Sequence, residues 1–523
     1  DFARPSSERM PLKHQPNSLR KIALHSICRN FNKLFYRCQS DENMRVLIDT
    51  GAYMEFENPL KELPPNMLED LAEEMKRVTH LRCHHLHMFI TENLQEWSFS
   101  GSIADHSMAF HMLSTRCKKL KHLNLSYMRT MNHMVFLMLV PTLSNIVSLD
   151  LRMTLTVDEV VNKIGECCHS LVDLNLSSTP ITDKGLVYLC ISQNGQRRCQ
   201  QLARLSVSET WISALGATVV LHFLPNIREF DFDNIFEAIE GVETVEDRAM
   251  QCLFTRAGIR LSELDTDITA PTRLRLTCLN STVEYLREEA LDATVRLCPD
   301  ATNIAISNAW LPNEALYKLM LLEHLTALSL TNGEGCTFTF HEGVMPVLSV
   351  CGPRLHSLIL SNFPGIDISG VGSSCPNLQN LAFSNVPVFD VPSKLVPEWF
   401  NKLEALELWS ATSVEYSPQL VKQLLLYSPI IKNILFNSCS VVTDSLLLEI
   451  MQTNPMEMLS HLTVNHCHGV TMATINSVLD AKNDLNVLRV WSCASITRLH
   501  SVQVSQRITE ENLDVYFEWF EFT

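Results

Sequence analysis

Apolar residues recur along most of this chain in the order L-x-x-L-x-L, followed by a few polar or small positions and then an apolar run at helical spacing. The stretch from Cys168 to Leu186 shows the whole unit, C-x-x-L-x-x-L-x-L-x-x-x-x-I-T-D-x-G-L. Its alternating Leu174 and Leu176 predict a short strand with one buried face. Ile181-Thr182-Asp183 then turns the chain into a helix, and Asp183 suits the cap because a carboxylate accepts bonds from unpaired backbone N–H groups. One such unit cannot bury its own apolar face, so it needs neighbours of the same kind.

Those neighbours are present. Taken by the middle apolar residue, they fall at Trp97, Leu123, Leu149, Leu174, Leu205, Phe230, Leu274, Ile304, Leu328, Leu358, Leu381, Leu406, Ile434, Leu462 and Leu488. Most steps are 23 to 31 residues, and the exception is the 44-residue step from Phe230 to Leu274. An ordered series of this period predicts an α/β solenoid of leucine-rich repeats, about 13–15 of them, over residues 81–495. The rhythm weakens over 234–267, where Glu237, Glu240, Glu243, Glu246 and Asp247 form an acidic segment; this is either an insertion or a degenerate repeat. After Leu488 the rhythm stops, and residues 496–523 are expected to cap the open core edge.

Before the repeats, residues 18–80 read as a small helical module. Leu19, Ile22, Ala23, Ile27, Phe31 and Leu34 follow helical spacing from Ser18, a candidate cap, to about Cys38. A polar connection spans Gln39 to Arg45. A second helix starts at Leu63-Pro64-Pro65, because proline is tolerated in a first turn, and runs to about Arg77. Residues 1–17 are polar and contain proline, which predicts a poorly ordered tail.

Composition narrows the function. The 523-residue chain is 46% hydrophobic and carries a net charge of −16, which argues against a general binder of nucleic acid or anionic membrane. Its first 37 residues are locally basic and could suit an acidic partner. No apolar run approaches the ~18 residues of a membrane span, and no signal peptide is visible. The 17 cysteines occupy repeat positions: Cys117, Cys168, Cys199 and Cys375 precede the strand by one fixed offset, and Cys439, Cys467 and Cys493 follow it by another. Singly buried, reduced thiols fit those slots and predict a cytoplasmic or nuclear protein.

No phosphate-binding loop, dinucleotide fingerprint, H-E-x-x-H or C-x-x-C is present. The clusters Cys83, His84, His85, His87 and His461, His466, Cys467, His468 do not offer four converging ligands at zinc spacing. No catalytic residue, metal or cofactor is expected. The repeat register gives the better lead. Small polar residues dominate the position after each strand core until the last repeats, where the column becomes Trp409, Asn437, Asn465 and Trp491. Glu407, His461 and Arg489 lie in adjacent outward columns. Tryptophans flanked by amides and charges match a binding hot spot, so these seven residues are the expected substrate-binding surface on the concave repeat face.

The repeats resemble the cysteine-containing leucine-rich repeats of F-box substrate receptors, most closely over Cys168 to Leu186 and at Cys439 to Asp444. Ser18-Leu19-x-x-x-Ala23-x-x-x-Ile27 resembles the BC box that docks on Elongin C, with Ala23 where that box has cysteine. Leu63-Pro64-x-x-Met67-x-x-x-Leu71 resembles the cullin-2 box. Together they are similar to the VHL-box, zyg-type leucine-rich-repeat receptors of cullin-2 ubiquitin ligases, without the armadillo-like repeats of the zyg type. The resemblance implies that Leu19, Ala23 and Ile27 meet Elongin C and that Leu63, Pro64, Met67 and Leu71 meet the cullin. It implies a non-catalytic substrate-recognition subunit that bridges a bound protein or peptide to Elongin B/C and cullin-2. Two alternatives are a leucine-rich-repeat scaffold with no ligase role and an F-box-type receptor using Skp and cullin-1, since an F-box also opens with a Leu-Pro segment.

Overall fold

A computed structural model describes residues 19–521, apart from 39, 80, 100–105, 246, 260–270, 281–285, 308–309, 334–336, 392–395, 397 and 412–414. The expected tail 1–17 and the expected cap Ser18 lie outside the described residues. The chain forms two compact units, one from Asn17–Ser281 with Arg296–Cys298, the other including Thr282–Val295 and Pro299–Thr523.

The first unit opens with the helices Leu19–Arg29, Phe31–Tyr36, Asp41–Asp49, Pro65–Val78 and Cys83–Phe89. The single helix expected to Cys38 breaks at Asn30, which leaves helical geometry at ψ 17° while its side-chain amide donates to the Ser26 carbonyl at 2.9 Å. The expected polar connection is itself helical from Asp41. Ser40 caps it by accepting from the Asn43 N–H, and Asp41 and Glu42 supply favourable negative charge in its first turn. Leu68, Leu71, Ala72 and Met75 recur at helical spacing and are buried together with Phe31, Tyr36, Leu86 and Phe89. Phe31 stacks on Phe89 at 5.5 Å, and the Tyr36 hydroxyl donates to the His84 carbonyl at 2.5 Å. His84, His85 and His87 are all buried in this core.

Among the described residues, seven three-residue parallel strands follow in this unit, from Glu96–Ser98 to Cys278–Asn280. Trp97, Leu123, Leu149, Leu174, Leu205 and Phe230 stand opposite one another in register, as the spacing predicts. The Leu274 anchor is wrong. Cys278 pairs with Glu229, which puts Leu279 in the core position; Leu276-x-x-Leu279 carries the true register, and Leu274 is buried ahead of it. The described part of the weak segment 234–267 holds two helices. Helix Ile235–Thr244 takes a repeat's place against Ala214–Phe223, with the Thr218 hydroxyl donating to the Ala238 carbonyl at 3.0 Å. Helix Asp247–Arg256 is an additional element, seated by Phe254 against Phe223.

Among its described residues the second unit carries nine parallel five-residue strands, from Asn303–Ser307 to Tyr516–Phe520, each in register with the next. The last lies within 496–523, where a cap is expected. Helix Arg498–Glu510 and strand Tyr516–Phe520 form another repeat, because Phe517 and Trp519 supply the alternating apolar positions that leucine supplies elsewhere. Both units are thus stacks of α/β leucine-rich repeats, and among the described residues no helix is long and apolar enough to cross a membrane.

Two devices tie successive repeats. Asp183 does not cap its own helix: Thr182 does, accepting from Lys184 N–H. Asp183 reaches the next repeat instead, accepting from Ser213 N–H at 2.7 Å and from its hydroxyl at 2.8 Å. Asp158 grips Thr182 the same way at 2.8 and 2.7 Å, and Asp444 grips Thr471 at 2.9 and 2.6 Å. Three residues after the gripped cap stands Gly185 or Gly216, where a Cβ would collide with that carboxylate. After Thr471 the position is Thr474, whose hydroxyl donates to Asp444 at 2.6 Å. Burial alone would raise the Asp444 carboxyl, but these bonds outweigh it and hold it below the usual range. The second device is the cysteine slot: the Cys439, Cys467 and Cys493 thiols point at the carbonyls of Leu408, Phe436 and Val464 in the preceding strand.

Candidate functional site

Two surfaces hold the sequence-predicted residues, one on each unit. In the first unit, helix Leu19–Arg29 is fixed along one side to helix Pro65–Val78. Arg20 pairs with Asp70, His25 lies 2.8 Å from Glu74, and the buried Cys28 thiol points at the Leu71 carbonyl. This anchoring leaves the opposite side open. Leu19 is 87% exposed, Ile22 is 51% exposed, Ala23 is exposed and Ile27 is half-buried. Leu19, Ala23 and Ile27 are four residues apart and so form one stripe. On the second helix, Pro64 and Met67 are exposed and Leu63 is half-buried. Leu71 is the correction: it is 2% exposed and packed inward beneath Cys28. Leu71 shares its face with the buried Leu68, Ala72 and Met75, the face that helix Leu19–Arg29 covers, so it belongs to the core of the module.

In the second unit, strands Ala405–Trp409, Asn433–Asn437, His461–Asn465 and Val487–Trp491 pair in parallel, residue for residue. Leu406, Leu408 and their equivalents are buried under the helices, so Trp409, Asn437, Asn465 and Trp491 align across the opposite sheet face. Glu407 and Arg489 stand in the next column and His461 in the one beyond. The four central residues span three strand spacings, roughly 14 Å at ~4.8 Å each.

The side chains are mutually arranged. The Trp409 indole N–H donates to Glu407 at 3.2 Å, and the Asn465 amide donates to the Asn437 side-chain oxygen at 2.8 Å. The Arg489 guanidinium lies 5.9 Å from the Trp491 ring and pairs with Glu518 at 3.1 Å. The Asn465 side-chain oxygen and the Trp491 indole N–H are buried with no hydrogen-bond partner. An acceptor and a donor thus lie unused in neighbouring positions, between Trp409 and the last strand. Trp409 is 39% exposed. Sequence reasoning missed the continuation of this surface by the last strand, where Tyr516, Glu518 and Phe520 extend the three columns. Tyr516 and Phe520 are 59% and 50% exposed. The signal was available, since Phe517 falls one repeat length beyond Leu488.

His84, His85, His87 and Cys467 are buried parts of the framework, whereas His461, His466 and His468 are exposed. His85 accepts from Arg82 N–H at 3.0 Å, His84 sits 3.2 Å from the Asn32 side-chain oxygen, and His468 accepts from Ala494 N–H at 3.2 Å. Among the described residues no group of three or more His, Cys, Asp or Glu is placed to hold a metal ion. What the two surfaces offer chemically is apolar contact, aromatic faces and amide hydrogen bonding.

No family model matches the chain, and no curated protein matches it. Among solved structures it is similar to the crystal structure of the Rad7 and Elc1 complex in yeast, at 14% identity and a TM-score of 0.40, covering 92% of this chain and 96% of that one. It is also similar to the TLR13–ssRNA13 complex, at 14% identity and a TM-score of 0.31, covering 82% of this chain and 45% of that one.

Proposed function

We propose that this chain is the substrate-recognition subunit of a cullin–RING ubiquitin ligase, holding Elongin B/C and cullin-2 through its N-terminal helices and a protein target through its repeats. The observation that carries the reading is the open apolar stripe on helix Leu19–Arg29. An isolated exposed leucine needs no explanation. Here Leu19, Ile22, Ala23 and Ile27 share one face of a helix whose other face is held by an ion pair, a histidine contact and a buried thiol. A helix presented in this way suits a partner groove that takes anchors at successive turns. Leu63 and Pro64, just ahead of helix Pro65–Val78, and Met67 in its first turn supply the cullin contact; the buried Leu71 backs them from the core of the module. The Trp409–Trp491 column, extended to Phe520, holds an extended peptide of the target, with the Asn437 and Asn465 amides facing its backbone. The chain acts by proximity: it holds a target lysine at high effective concentration near the charged ubiquitin carrier and contributes no catalytic residue.

The test is reconstitution of the full chain with Elongin B/C and cullin-2. Leu19→Asp removes a buried anchor worth about 1.5–3 kcal/mol and would force a carboxylate into an apolar groove. Elongin B/C binding should fall at least a hundredfold, while Leu63→Ala with Pro64→Ala weakens cullin-2 and spares Elongin B/C. Leu19 is exposed in the free chain, so the variant stays folded. Elongin B/C binding that is absent from the wild type, or unchanged in Leu19→Asp, sinks the ligase reading and leaves an interaction scaffold.

A further inference from the structure

A cavity of about 820 Å³ opens in the first unit between the short helices after Arg29, helix Pro65–Val78 and helix Cys83–Phe89. Its size falls within the ~300–1,000 Å³ range of small-molecule sites, and its lining is unusual for an acidic chain. Arg29, Lys33, Arg45 and Arg82 all contribute to its wall, against the single carboxylate of Asp41. None of the four cations makes an ion pair among the described residues, although nearby cations such as Arg20 and Lys76 do. Four unneutralised cations around one concavity raise the local potential, and the low-dielectric walls focus it. Two of these cations, Arg29 and Lys33, come from the basic N-terminal stretch; Arg45 and Arg82 join them from later in the chain.

A second feature lies in the same wall. His84 is 1% exposed, its Nε2 meets the Asn32 side chain, and its Nδ1 has no partner. A buried polar atom left unsatisfied costs about 1–3 kcal/mol. A phosphate group both accepts and, when singly protonated, donates, so it can serve that nitrogen in either tautomer. Three guanidinium forks and one ammonium suit phosphate oxygens, which arginine binds in bidentate fashion. The only aromatic carbocycle in the lining, Phe31, is buried and offers no face on which a nucleobase could stack.

We propose that this cavity binds a small polyanion carrying two or more phosphate groups. The proposal is independent of the ligase reading, since neither the Leu19 stripe nor the Trp409 column contributes to it. Titration calorimetry of the full chain with tripolyphosphate, at about 0.15 M salt, tests it. Saturable binding is expected, with sulfate at matched ionic strength much weaker. The double variant Lys33→Gln with Arg45→Gln should weaken tripolyphosphate at least tenfold. Both side chains are exposed, and thermal unfolding verifies that the variant is folded. A His84→Gln variant should also bind more weakly. No binding up to about 1 mM, or sulfate binding as tightly as tripolyphosphate, or undiminished affinity in the double variant, each overturns the proposal.

Discussion

Replacing Gly185 by alanine sets two rules against each other. Gly185 lies inside helix Asp183–Cys190, where alanine is intrinsically favoured over glycine by about 1 kcal/mol. The structure reverses the sign. A Cβ on Gly185 would sit 2.6 Å from the Asp158 carboxylate oxygen that accepts from Thr182 N–H at 2.8 Å. The carboxylate has little room to yield, because its second oxygen is held by the Thr182 hydroxyl at 2.7 Å. Displacing it sacrifices two hydrogen bonds to a charged group, each worth about 1.5–3 kcal/mol. Subtracting the helix gain leaves a net loss of about 2 kcal/mol or more. Urea unfolding of the wild type, Gly185→Ala, Asp158→Ala and the double variant forms a cycle that isolates this contact. In the Asp158→Ala background the obstacle is gone, and Gly185→Ala should become stabilising by about 1 kcal/mol. If Gly185→Ala stabilises the wild type, or if its penalty persists unchanged without Asp158, the close approach is not what selects glycine here.

Other expectations follow from the two surfaces and the buried imidazoles. Trp409→Ala or Trp491→Ala should each weaken binding of a recruited target by about 2 kcal/mol, roughly thirtyfold, with unfolding midpoints little changed; a folded double variant that recruits its targets undiminished places recognition elsewhere. Acid should loosen the N-terminal module early. Burial, with Arg82 alongside, pushes the His84 imidazole down to about 4; burial pushes His85 well below its ordinary value, and burial with Arg116 lowers His87. Folded values below the unfolded ~6.5 mean that the unfolded chain binds more protons between those limits. Stability is therefore fully present above about pH 6.5 and falls as the pH drops below it, for His84 by about 1.4 kcal/mol per pH unit towards pH 4. Hydrogen exchange of residues 83–90, corrected for intrinsic rates, should show protection falling over that window in the wild type and less steeply in His85→Phe, whose ring can keep the edge-on contact with Phe31. Equal slopes in the two proteins would refute this.

The repeat stack was legible because each strand writes its buried face at a fixed spacing, so Leu123, Leu149 and Leu174 announce one another. Legibility failed where that spacing was ambiguous or its residues changed type. Leu274, Leu276 and Leu279 offer two registers, and only pairing with Glu229 selects Leu279. The final strand was missed because Phe517 and Trp519 replace leucine. Among the site residues, the column from Trp409 to Trp491 followed from register alone, since parallel pairing carries equal offsets into alignment. The N-terminal motifs gave the helices but not the side on which they pack. That depends on where Cys28 meets Leu71, a contact between segments far apart in sequence. The same limit hid the basic cavity, whose cations come from four separated positions in the chain.

The carboxylate grips also make each repeat polar, like a link with a hook at one end and an eye at the other. Asp158 hooks Thr182, and Asp183, the residue after that eye, hooks Ser213. Propagation therefore requires a side-chain acceptor immediately after each cap, a carboxylate at Asp158, Asp183 and Asp444 and an amide at Asn313, which accepts from Thr339 N–H at 2.8 Å. Where the chain instead has Ala214 after Ser213, or Met472 after Thr471, the row cannot continue. The repeats are thus grouped into short coupled runs rather than one uniform array, and the boundaries are written in single residues. Excising or duplicating a repeat preserves stability only if hook and eye travel together; a cut between Asp183 and Ser213 strands a carboxylate on one side and an unserved helix start on the other. Shuffling of such a chain is constrained by adjacency, much as words are by grammar, even where the cores themselves would interchange freely.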